Sequence, residues 1–168
     1  MNRPSGTKRK PVARAKRPAW ANRFAVPTLT SLLQGLRAAH SNPFRHARQT
    51  LLDFPGMQET IAWQGVWHWT LVYSHPSLPN QAWAFLVPDP ARPLLAVPIP
   101  EVALLTLPQK HLTRPVRDGL TLAPVVGGVR WATWEVSSKT LAENVLAVAA
   151  ARASVARATG GTAARSAS

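Results

Sequence analysis

The sequence predicts an α+β domain: an antiparallel sheet of about five strands, with N-terminal helices and a C-terminal helix packed on one face. Three observations carry this. The stretch Ile61–Tyr73 alternates apolar and mixed residues, with Ile61, Trp63, Gly65, Trp67, Trp69, Leu71 and Tyr73 in the odd positions, the period of a half-buried strand. Further short alternating runs follow at close spacing, as in a meander. The stretches before and after this region have helical periodicity instead.

In chain order, residues 1–19 come first. They hold seven Lys/Arg, including Lys8, Arg9, Lys10, Arg14, Lys16 and Arg17, with three prolines and no acid. Such a segment has too little to bury to offset its ordering entropy, so a disordered basic arm is expected. From Thr28, Leu29, Leu32, Leu33 and Leu36 fall at helical spacing. A helix is expected to His40, with Thr28 as N-cap. Ser41-Asn42-Pro43 should break it and start a second helix ending at Asp53. Arg45 and Arg48 are expected to face water. Phe54-Pro55-Gly56 ends the helical section.

The aromatic stretch is either one long strand with a bulge near Gln64-Gly65 or a short hairpin turning there. His75 to Asn80 reads as a loop. Ala82–Val87 reads as a strand with Trp83, Phe85 and Val87 on one face, and Leu94–Ile99 as another. Pro98 places that strand at an edge, because proline has no N–H for a ladder. Glu101–Leu107 fits either a short helix or a buried strand. Pro108–Gly119 looks irregular, with Asp118-Gly119 as a turn and Leu120–Leu122 as a short strand. Gly127-Gly128 turns into a strand over Val129–Val136. Trp131 and Trp134 lie three apart there, so they point to opposite faces. Ser137-Ser138 then offers an N-cap for an alanine-rich helix over Lys139–Arg157, and residues 158–168 are expected to fray. The domain reading is therefore an arm at 1–19, a single domain at 20–157 and a tail at 158–168.

In this order the elements resemble the YdhG-like domains and related uncharacterised bacterial α+β families. The resembling residues are Phe54-Pro55-Gly56-Met57-Gln58-Glu59, Trp63-Gln64-Gly65, Trp67-His68-Trp69-Thr70-Leu71, Phe85-Leu86-Val87-Pro88 and Gly128-Val129-Arg130-Trp131, followed by a closing helix. The resemblance covers roughly residues 28–157 and implies a fold, an antiparallel sheet with helices on one face. Some YdhG-type proteins look like frataxin and are linked to iron handling. This chain departs from them, because its seven acids are scattered singly and hard cations need carboxylate clusters.

Composition narrows the function classes. The chain has 168 residues, no cysteine and a net charge of +13. Disulfides, thiolate zinc sites and cysteine nucleophiles are excluded. The lack of cysteine fits a reducing, cytoplasmic setting. No apolar run reaches the length of a membrane span. The acid-free, basic start is shared with organelle transit peptides. Eleven of the twenty Lys/Arg lie in residues 1–52, where there is no Asp or Glu, so the charge belongs to the N-terminal third.

There is no phosphate-cradling loop, H-E-x-x-H or G-x-S-x-G. No catalytic residue, metal site or cofactor is expected. The reading is a non-enzymatic accessory or binding domain whose arm contacts nucleic acid or another anionic partner. The alternative is a small-molecule-binding domain or cofactorless enzyme with a pocket on the sheet face around His68. If one sheet face is open, Gln64, His68, Tyr73, Arg130 and Trp134 are the residues expected in its groove. Tyr73 has the opposite parity to His68 and joins the others only through a bulge.

Overall fold

Glycine decides how the aromatic stretch folds. A computed structural model describes residues 18–79, 81–107 and 109–163, with side chains to Arg152 except that of Gln109. In it the stretch is a hairpin. Strand β1 (Gln58–Trp63) and strand β2 (Trp69–Ser74) pair antiparallel across a 3-10 turn at Gly65–Trp67. Gly65 has φ +57°, which a side chain disfavours. Directly paired residues include Ile61↔Leu71 and Trp63↔Trp69. Each pair joins two odd positions, so the odd residues of both strands share one face, as they would on a single strand. Trp67 is the exception, because it lies in the turn.

Strands β3 (Ala84–Val87), β4 (Leu94–Pro100), β5 (Val125–Val126) and β6 (Val129–Glu135) complete a six-stranded antiparallel sheet in the order β1-β2-β3-β4-β6-β5. The sequence foresaw about five strands and missed the two-residue β5. Gly127 and Gly128 both have positive φ and make the tight β5–β6 turn that this requires.

The sequence placed β4 at an edge because of Pro98, but it lies between β3 and β6. Pro98 is paired with Trp131 of β6, and β3 has ended before it reaches Pro98. No β3 carbonyl loses a ladder donor there. Trp83 also departs from its expected face. It precedes β3 and is buried in the helix-side core, whereas Phe85 and Val87 face the other way.

The helices are α1 (Leu29–Gln34), α2 (Ala38–Leu52), α3 (Glu101–Leu104), α4 (Arg114–Thr121) and α5 (Lys139–Ala163). Thr28 caps α1 by accepting from the Ser31 amide at 3.2 Å, and Ser138 caps α5 by accepting from the Leu141 amide at 3.2 Å. The break between the first two helices falls at Gly35–Arg37, not at Ser41–Pro43, and α2 runs through Pro43. Leu36 thereby turns into the core beside Leu32 and Leu33. Within the stretch expected to be irregular and then a short strand, Arg114–Thr121 form helix α4, with Asp118 and Gly119 inside it. Helix α5 continues past the expected end at Arg157.

One core lies between the helices and one face of the sheet. From the strands it takes Trp69, Leu71, Leu86, Leu95, Val97 and Trp134, and from the helices Leu32, Phe44, Leu51, Val116, Val145 and Leu146. Phe85, Val87 and Ala96 are buried but belong to the sheet's other side. The basic arm, apart from its last two residues, and the end of the tail lie outside the described residues.

Candidate functional site

The second face of the sheet carries an aromatic group of its own. Registers Val72↔Phe85↔Ala96↔Thr133 and Pro98↔Trp131 put these residues on the side away from the core. The Trp67 ring turns from the hairpin tip onto this face. It lies 5.5 Å from Phe85 and 6.1 Å from Trp131, and Phe85 and Trp131 are 5.8 Å apart, all tilted. Trp67 and Trp131 are half-buried and Phe85 is buried beneath them. Beyond Val72 the face continues into an open groove of about 410 Å³. Its lining includes Gln58, Val72, Ser74, His75 and Gln81. The aromatics and the groove side chains carry no fixed charge. The charged pair at the far end, Arg92 and Glu135, is 3.4 Å apart and neutralises itself.

The described chain begins at the hairpin tip, where Trp20 packs against the helix-side core. Trp20 donates its indole N–H to the Trp67 carbonyl at 3.1 Å, and Trp69 donates to the Asn22 carbonyl at 2.8 Å. Two indoles thus fasten residues 20–22 to the hairpin tip. Sequence reasoning passed over Trp20. It lies just outside the basic run and shows no periodicity, so only its pairing with the tip reveals its role.

The five residues expected in a groove do not come together. His68 is not on a strand. It closes the hairpin turn at φ +53°, a region costly for any side chain. Its ring lies 4.4 Å from Trp20 and 5.1 Å from Trp63, and its Nδ1 is buried without a hydrogen-bond partner. Gln64 donates its backbone N–H to the His68 carbonyl at 2.8 Å and so clasps the same turn. A general base needs a partner that orients it, and among the described residues nothing hydrogen-bonds His68 Nδ1.

Tyr73 is fully buried on the helix side, the face its odd position shares with Leu71. Its hydroxyl donates to Glu59 Oε2 at 2.7 Å, and Arg48 donates to the same carboxylate through Nε at 2.9 Å and Nη2 at 2.8 Å. Arg48 therefore does not face water as the sequence suggested. The Glu59 hydrogen bond pushes the Arg48 pKa above its ordinary value. Trp134 is buried against α4 and donates to the Pro115 carbonyl at 3.2 Å. Arg130 is a clasp, with Nε on Glu101 at 2.8 Å and Nη1 on the Leu120 carbonyl at 3.0 Å. It borders a cleft of about 320 Å³ with Arg117 and three leucines. A smaller groove of about 170 Å³ runs between α4 and α5. His68 lines none of these three clefts.

Burial, then the charge of Glu59, then its hydrogen bond push the Tyr73 hydroxyl far above its ordinary value of 10.0. The native protein keeps this proton at a pH where the unfolded chain loses it. The unfolded state then binds fewer protons, so stability falls as pH rises above about 10. The loss is about 1.4 kcal/mol per pH unit. Tyr73→Phe is expected to cost about 1–2 kcal/mol at neutral pH, since Glu59 loses a donor. The gap between the two proteins should then close above about pH 10. Urea titrations of both across that range provide the check, and a constant gap would contradict a buried, protonated Tyr73.

Among the described residues no cluster of His, Asp or Glu could hold a metal ion, and no helix is long and apolar enough to cross a membrane. No protein family, curated protein or solved structure matches the chain.

Proposed function

We propose that the protein is a non-enzymatic binding domain for an anionic partner, foremost nucleic acid, gripped by the N-terminal arm and seated against the helix-free sheet face. The observation that carries this is the fastening of Trp20 to Trp67. The arm holds seven cations and no acid, and Trp20, just after it, is tied to the backbone of Trp67, whose ring belongs to the uncharged aromatic surface. The arm's point of attachment and the contact surface therefore meet at the hairpin tip. A cationic segment attracts phosphates without sequence preference, and a fixed face then limits what can dock.

The test is fluorescence anisotropy with labelled oligonucleotides over a salt series. If all seven arm cations engage phosphates, the slope of log affinity against log salt is about −5 for a single strand. Affinity should then fall about a thousandfold between about 50 and about 200 mM salt. Deleting residues 1–17 should flatten the slope and leave the melting temperature unchanged. An equal slope in both proteins would make the arm a solubilising tail.

A further inference from the structure

Resting on that reading, we infer that the helix-free face selects unpaired nucleotides, stacking bases on Trp67 and Trp131 over Phe85 and leaving phosphates to the arm. Three features of the face argue for this occupant.

The first is width. Six strands at about 4.8 Å spacing span well over 20 Å. A duplex major groove is about 12 Å wide, so this face cannot enter one. It can lie against bases only when they are splayed out.

The second is chemistry. Every base has a π-face that an indole accepts, whatever its sequence. Two half-exposed indoles 6.1 Å apart, tilted by 59° and floored by Phe85, offer two surfaces for successive bases. The adjoining groove supplies neutral hydrogen-bonding side chains, Gln58, Ser74 and Gln81, of the kind that reads base edges. Arg92, at the far end of the face, is already paired with Glu135.

The third is charge. A second copy docking on this face would bring together two chains of +13 each, which repel. The arm is a poor cover for its own domain's face, because its cations would lose water without gaining a carboxylate.

The experiment compares equal-length oligo(dT), oligo(U) and a DNA duplex on the full-length protein. Both single strands are expected to bind at least tenfold more tightly than the duplex. The double variant Trp67→Ala, Trp131→Ala should lose about ten- to a hundredfold in single-strand affinity. Duplex affinity and the salt slope should stay as in wild type. Thr133→Glu is the second variant. Thr133 is exposed on this face, so a carboxylate there repels the strand without touching the core. It too should lower single-strand affinity alone.

If single strand and duplex bind alike and neither variant changes this, the inference falls while the arm's role stands. If no oligonucleotide binds even at low salt, both fall. If the face instead mediates concentration-dependent self-association that Thr133→Glu abolishes, with single-strand affinity unchanged, a second copy is the occupant and the inference is overturned.

Discussion

Replacing Arg152 with alanine is expected to lower the unfolding free energy by about 4 kcal/mol, measured by urea denaturation. Arg152 is 1% exposed, and among the described residues no carboxylate pairs with it. Its guanidinium donates to the carbonyls of Pro98 and Trp83 and lies over the Trp83 ring at 5.9 Å. The β3–β4 register, extended past Phe85↔Ala96, would set Trp83 opposite Pro98. A proline there has no N–H to give. Arg152 supplies donors at the point where the ladder cannot continue.

Two charge-assisted bonds are worth about 3–6 kcal/mol together, and the cavity left by alanine adds about 2–5 kcal/mol. Against this stands the cost of the buried charge, which lowers the Arg152 pKa well below its ordinary value, to about 10. That shift corresponds to about 3 kcal/mol, regained when the charge is removed. Arg152→Met fills most of the space and removes the charge, so it should cost only about 1 kcal/mol. If alanine too costs only about 1 kcal/mol, the fold depends neither on the donors of Arg152 nor on the space it fills.

Pro98 also shows where sequence reading stops. Its missing N–H is legible, and the rule that proline avoids central strands is sound. The rule led to an edge assignment because the compensating donor sits 54 residues away on another element. The helix-side face was legible for a different reason. A five-residue loop between Trp63 and Trp69 preserves parity, so a hairpin and a single strand predict the same buried residues. Only Trp67 escaped, since a turn residue obeys no alternation. The ring group on the second face therefore went unseen, although each of its members was noted. Trp134 reads toward a groove because tryptophans three apart cannot share one strand face, and Tyr73 because a bulge would carry it to the mixed face. In the structure the polar tips of both are satisfied internally, by Glu59 and by the Pro115 carbonyl. Helix α4 was hidden by Gly119, which reads as a turn when its neighbours are unknown.

Gly119 is where that local reading and the tertiary fit diverge most, and its replacement by alanine should reverse an ordinary rule. In an exposed helix interior, glycine to alanine gains about 1 kcal/mol. A Cβ at Gly119 would lie 2.1 Å from Trp134 Nε1 and 2.6 Å from its Cε2. The obstacle is no flexible chain end. It is the rigid indole of a buried tryptophan, 5% exposed and tied to the Pro115 carbonyl one turn back on the same helix. Either α4 lifts from β6 or the indole leaves its site, so Gly119→Ala is expected to destabilise by about 3 kcal/mol. Shrinking the partner tests the cause. Trp134→Leu alone should cost about 3 kcal/mol through lost packing. Added to Gly119→Ala it should cost less than the sum, with a coupling of about 1–3 kcal/mol in a double-mutant cycle. Strict additivity would mean that the alanine acts elsewhere, and that α4 does not need its glycine in order to seat Trp134.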